Sequence, residues 1–285
     1  MTLPYFLGCP SWNEPAWRGT LYTPTLAAAG FLARYCEVFN CVEGNTTLYA
    51  WPSADKVSRW ASQMPEGFRF CTKLPREISQ AADLRDVLHL ADDFLRLLAP
   101  LGRRVTPLWL QLPASFGPRR IAELAVLADA LAVPLAVEVR HPAFFARGEE
   151  ERALNRLLHE RGVERICLDT RALFSCASRT PAVQHAQRKK PRLPPRPAAF
   201  TAAPQVRFVG HPDLPANDPF LAPWLDKVAA WIDEGRTPHV YLHTPDNRLA
   251  PELALRFHAG LAERLPGLPP LPSLGEGAQL SLIDG

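Results

Sequence analysis

The chain has 285 residues, with 32 Lys plus Arg against 29 Asp plus Glu, a formal net charge of +3, 47% hydrophobic and 21% charged residues. That balance excludes a disordered or fibrous chain and suffices for a sizeable core. No apolar run is long enough to cross a bilayer, since the longest, 124–139, is broken by Asp129 and Pro134; with no basic stretch ahead of its first apolar residues, the expectation is a cytoplasmic protein with no membrane partner.

In chain order, short β-branched or aromatic runs alternate with segments of helical spacing. A strand over 5–9 precedes a helix over 26–36, and a strand over 38–45 precedes a helix over 54–63. Strands over 68–74, 108–112 and 135–140 lead to helices over 84–99, 119–132 and 149–161. The sixth strand, 165–169, runs into a Pro-rich basic insert over 172–204. Strands over 205–211 and 239–243 lead to helices over 218–234 and 251–264. Most of the strands are apolar almost throughout, as parallel strands buried on both faces require.

Eight strand–helix repeats predict a single (β/α)8 TIM-barrel domain over 1–264. An open doubly wound sheet would want a Gly-rich phosphate turn after the first strand, and here Gly8-Cys9-Pro10-Ser11-Trp12 supplies one glycine. The tail, 265–285, is too rich in Pro and Gly to form a helix and is expected to be flexible. Eight cations and no acid lie between Thr170 and Pro212, leaving −5 on the rest of the chain. The insert therefore reads either as a solvated loop or as a lid or arm over the barrel mouth that meets polyanions. The six cysteines form no C-x-x-C pair and are expected to be buried free thiols.

In such barrels chemistry sits at the C-terminal ends of the strands and on the loops that follow. Alternation along each strand predicts an inner set of Glu43 and Asn45, Lys73, Gln111, Glu138 and Arg140, Asp169 and Arg171, Arg207 and His211, and His243. Buried without partners, these charges would be costly, so they either pair with one another or meet a ligand. Glu138 and Asp169, then Glu43, are the acid/base candidates, with Lys73 stabilising an oxyanion. A divalent metal held by the Glu, Asp and His set is a further option, and neither metal nor cofactor identity is readable. Trp12, Trp17 and Arg18 on the first loop offer ring faces and a cation, unless Trp17 merely plugs the loop. Tyr49 is equally open to both readings, and Asp246 and Asn247 add polar groups on the last loop. The cationic bias favours an anionic, hydroxylated small molecule, a nucleotide or a nucleic acid.

The blocks GCPSWNEPAWRGTLYTP (8–24), VEGNTTLYAWPS (42–53), FRFCTKLPREIS (68–79), LWLQLPASFGP (108–118), VEVRHPAFF (137–145), LDTRALF (168–174), VRFVGHP (206–212) and HTPDN (243–247) together resemble the YecE-like family, domain of unknown function 72, from about residue 5 to residue 264. The resemblance implies a TIM barrel and supplies no chemistry. Trp12, Arg18, Glu43, Asn45, Tyr49, Lys73, Gln111, Glu138, Arg140, His141 and Asp169 match its pattern. HTPDN and Gly44 depart from it, which suggests a subgroup. The tail pentapeptide Gln279, Leu280, Ser281, Leu282, Ile283 is similar to the QLSLF peptide by which bacterial repair proteins bind the DNA sliding clamp. Its physical basis is a polar Gln anchor and an apolar pair on an extended tether. Two readings follow: a hydrolase, lyase or isomerase acting on an anionic substrate, or a non-catalytic nucleic-acid-binding accessory protein recruited by its tail.

Overall fold

A computed structural model describes residues 3–275. The first strand, β1 (Phe6–Cys9), pairs in parallel with β2 (Cys41–Gly44), and β2 pairs with β3 (Arg69–Thr72). β1 and β2 approach so closely that a Cβ on Gly8 would lie 2.0 Å from the Cys41 carbonyl oxygen. A single bridge between Lys73 and Trp109 joins β3 to β4 (Leu108–Gln111), which pairs with β5 (Leu135–Glu138). The sixth stave is split. Its first part, β6 (Glu164–Arg165), pairs with β5, and the Ile166 amide donates to the Val137 carbonyl at 3.0 Å. Its second part, β7 (Cys167–Asp169), pairs with β8 (Gln205–Val209), and β8 pairs with β9 (His239–His243). β9 returns to β1, closing a parallel (β/α)8 barrel.

Helices follow the staves: α1 (Phe31–Val38), α2 (Ala54–Gln63), α3 (Arg76–Ser79) with α4 (Leu88–Leu98), α5 (Ile121–Ala130), α6 (Glu149–Glu160), α7 (Arg171–Ser175) with α8 (Pro181–Lys189), α9 (Asp218–Asp233) and α10 (Ala250–Ala262). Local chemistry sets their starts. The Ser53 hydroxyl accepts from the Lys56 amide at α2, and three glutamates occupy the first turn of α6, where the helix dipole favours negative charge. The main apolar core lies between barrel and helices, and a smaller plug of Phe6, Cys41, Cys71, Trp109, Ala136, Ile166 and Tyr241 fills the lumen. Among the described residues no helix is long and apolar enough to cross a membrane.

Two segments are more ordered than their composition suggested. The insert contributes α7 and α8 and then runs down the outside of the barrel. There Arg196 pairs with Glu151 at 2.7 Å, and the Phe200 and Thr201 amides donate to the Glu164 carboxylate. The tail was expected to be flexible from residue 265, yet it packs as far as Gly275. Leu274 is buried, the Ser273 and Leu274 carbonyls accept from Arg34, and the Pro269 carbonyl accepts from His258 Nε2 at 3.0 Å. The Tyr5 hydroxyl reaches Nδ1 of the same ring at 2.8 Å, and Nδ1 accepts because Nε2 carries the proton. The clamp-type peptide 279–283 lies outside the described residues.

Candidate functional site

Above the apolar plug, six staves each bring one polar side chain into the lumen: Glu43 from β2, Lys73 from the end of β3, Gln111 from β4, Glu138 from β5, Arg207 from β8 and His243 from β9. Arg207 is the bridge. Its Nε donates to Glu43 Oε2 at 2.9 Å, its Nη2 lies 2.7 Å from Glu43 Oε1, and its Nη1 donates to Glu138 Oε2 at 2.9 Å. His243 Nε2 is 2.7 Å from Glu43 Oε2, and Arg140 Nε donates to Glu138 Oε1 at 2.7 Å. Lys73 Nζ sits 2.8 Å from Glu43 Oε1 and 2.9 Å from Gln111 Oε1.

This network fixes protonation states. Burial pushes both glutamates up, but Arg207, Lys73 and His243 around Glu43, and Arg140, Arg207 and Lys73 around Glu138, outweigh it and hold both well below the usual carboxylate range. Burial lowers the Arg207 guanidinium, and the two carboxylates more than restore it. Burial, against the pull of Glu43, brings His243 down to about 4, so its imidazole is neutral. Burial and then Arg207 draw Lys73 down to about 8. Carboxylates so firmly ionised are poor proton carriers near neutrality, whereas Lys73 titrates there.

The network floors a cavity of ≈ 550 Å³ open at the C-terminal end of the barrel. Six cations line it: Lys73, Arg76, Arg140, Lys189, Lys190 and Arg207. Among the described residues that line it there is no aspartate or glutamate. Lys190 comes from the end of the helical insert, and its partial burial together with Arg207 drives its ammonium well below the ordinary lysine range. Asn45, with Nδ2 on the Pro10 carbonyl at 2.9 Å, also lines the cavity, as do Tyr49, His243 and Asn247. Arg76 lies over the exposed Tyr49 ring at 4.4 Å. Pro10, Ser11 and Asn45 are shared with an adjoining cavity of ≈ 410 Å³, where Trp12 and Trp60 meet edge to face.

Other expected site residues lie elsewhere. Asp169 and Arg171 were assigned to the lumen, but the sixth stave has the opposite phase. Ile166 belongs to the luminal plug, while Asp169 accepts from Trp224 Nε1 of α9 at 2.8 Å and from Arg171. The reason is that α6 and α9 offer polar partners on the outer face. Arg165 likewise finds Glu151, Asn155 and the Phe144 carbonyl there. Trp17 is the plug of its loop, fully buried against Tyr35 with Nε1 on the Asn247 carbonyl at 2.8 Å. Arg18 is exposed over Phe31 and bonds the Leu26 carbonyl. His141 accepts from the Ala143 amide as a helix cap, His211 accepts from the Asp213 amide within its turn, and Asp246 accepts from the Arg248 amide at the surface. None of these five lines the barrel-mouth cavity. With Asp169 outside and Glu43 held by cations, no three His, Cys, Asp or Glu side chains among the described residues are grouped to hold a metal. Sequence reasoning overlooked Arg76, His185 and Trp60. Arg76 sits on a four-residue helix too short to show a period, His185 on a helix hidden within the basic Pro-rich insert, and Trp60 was absorbed in the apolar stripe of α2.

The sequence pattern described as "Protein of unknown function DUF72" matches residues 6–275. The chain belongs to the DUF72 family. This DUF72 chain is 42% identical over 277 residues to the UPF0759 protein YecE of Escherichia coli strain K12, covering 96% of this chain and 99% of that one. It is 41% identical to the YecE protein of Escherichia coli O157:H7 with the same coverage. Two crystal structures of a DUF72 family protein (EF0366) from Enterococcus faecalis V583 superpose with TM-scores of 0.70 and 0.67 at 18% and 19% identity. They cover 94% and 93% of this chain, and 99% and 98% of theirs. At that identity the likeness concerns the fold.

Proposed function

We propose that this DUF72 protein is an enzyme of the hydrolase, lyase or isomerase type that takes a small anionic, hydroxylated substrate into the barrel-mouth cavity. The observation that carries this reading is the lining of six cations with no acid among the described residues, above a network in which the carboxylates are already neutralised. A cavity of ≈ 550 Å³ suits a sugar phosphate or a mononucleotide and is too small for a duplex. In this reading Glu43 and Glu138 hold the cations in place, and Lys73, with neutral His243 on the other oxygen of Glu43, handles protons. Trp12 and Trp60 in the adjoining cavity offer ring faces to a base or a sugar.

The test is thermal denaturation with sugar phosphates, nucleotides, their unphosphorylated parents and short duplex DNA. A ligand at a hundred times its dissociation constant adds about 2.7 kcal/mol of stability. The expected result is a rise in Tm of several degrees with phosphorylated compounds and none with the neutral parents. Stabilisation by DNA alone would transfer the assignment to a nucleic-acid-binding protein, and no response to any phosphate compound would overturn it.

A further inference from the structure

The chain contains 27 arginines and five lysines, Lys56, Lys73, Lys189, Lys190 and Lys227, and three of those lysines line one cavity. Outside that cavity the chain carries its positive charge almost entirely on arginine, with Lys56 and Lys227 the two exceptions. Lysine differs in that it can shed its proton and expose a nucleophilic lone pair.

Lys73 is built for that. Arg207 and Arg140 already match the charges of Glu43 and Glu138, so the network is balanced without the ammonium charge. Nζ has two acceptors, Glu43 Oε1 at 2.8 Å and Gln111 Oε1 at 2.9 Å. A neutral amine has two N–H bonds to give them and one lone pair left over. The Trp109 ring lies beneath, 5.5 Å from Nζ, and the cavity lies above.

We propose that Lys73 is an imine-forming lysine that receives the carbonyl carbon of a small anionic aldehyde or ketone held in the cavity. This rests on the anion-binding reading above and adds the substrate class. In the step, the Nζ lone pair forms a bond to the carbonyl carbon as the C=O π pair moves to oxygen. Starting from the ammonium, two of its three protons leave with that oxygen as water and the third stays on the C=N nitrogen. Charge and atoms balance, with no oxidant or reductant. The cationic lining holds the anionic group of the substrate, and Gln111 and Glu43 orient Nζ.

The experiment is borohydride trapping of the full chain with pyridoxal 5′-phosphate as a reactive phosphorylated aldehyde. Unphosphorylated pyridoxal is the control, and peptide mapping reads the site. The expected result is label concentrated on Lys73, suppressed by inorganic phosphate, and half-maximal near pH 8, where this amine titrates. Lys56 and Lys227 report the ordinary lysine background. Label confined to Lys189 or Lys190, or spread over all five lysines without regard to phosphate, overturns the imine while leaving the anion cavity standing. No label, together with no thermal response to phosphate compounds, overturns both. Because the map is read on the wild type, it does not depend on a Lys73 variant folding. A folded Lys73→Met protein, verified by its circular dichroism, is expected to lose the Lys73 adduct and keep the background.

Discussion

At the scale of single residues, the site depends on side chains whose neighbours leave them little freedom. Gly44 stands where a Cβ would lie 2.5 Å from the Phe70 ring. That ring also meets Trp12 and Trp60 edge to face. Gly44→Ala is therefore expected to cost about 1–3 kcal/mol by overpacking, measurable by urea unfolding, and to change the Trp12 environment in fluorescence. Glu138 has a different kind of constraint. It carries both Arg140 and one arm of Arg207 from a fully buried position. Glu138→Gln keeps the shape and removes the charge, leaving two guanidiniums short of an acceptor, so the expected loss is about 3–5 kcal/mol. Urea unfolding checks it, and an unchanged midpoint would mean that solvent already screens the pair. The sequence announced these charges because they stand at strand ends. What it could not announce is that Asp169 faces outward, since that depends on Trp224, which lies 55 residues further along the chain.

At the scale of elements, all the expected strands and most of the expected helices were legible, because unbroken apolar runs and helical spacing are local signals. The split of the sixth stave was not. It arises where the chain leaves β5, last bonded through the Ile166 amide, and pairs with β8 from Cys167 onward, a non-local event. Nor was α8, whose Pro at the first turn and Ala/Gln body are weak cues beside the surrounding basic residues. This element brings Lys189 and Lys190 over the mouth. Lys190 is penalised there by burial and by Arg207. A lysine with a folded pKa below its unfolded one destabilises the native state at neutral pH, since the unfolded chain binds the proton more tightly. Lys190→Ala is thus expected to raise the Tm of the free protein while weakening the response to a phosphorylated ligand by about tenfold in affinity, the worth of one charge-assisted contact. The two signs are opposite. A variant that is both less stable and equally responsive would show that Lys190 is a structural prop.

At the scale of the whole molecule, the barrel buries titratable groups at both ends, and their linkages to pH have opposite signs. At the closed end, burial pushes Glu164 up to about 7, against the donors Thr201 and Phe200. A carboxyl with a raised folded pKa contributes most below its unfolded value of 4.5 and loses that contribution as pH climbs toward 7. His239, at the start of β9, is brought down to about 3 by burial and then Arg69, and His243 at the mouth to about 4. A histidine with a lowered folded pKa acts in the reverse sense: its native environment is undisturbed above 6.5 and becomes costly as pH falls. Between about pH 5 and 6.5, Glu164 therefore makes stability fall with rising pH, while each histidine makes it rise. Each group accounts for one proton, or about 1.4 kcal/mol per pH unit. Glu164→Gln removes only the first contribution. Urea unfolding across that window is expected to give the variant a slope more positive than the wild type by roughly one proton. Every other group is common to both proteins and drops out of the difference. Parallel slopes would mean that Glu164 is ionised throughout, its four donors having overcome burial. In that case the closed end of the barrel would hold a second fixed negative charge like those at the mouth, instead of a proton that leaves near neutrality.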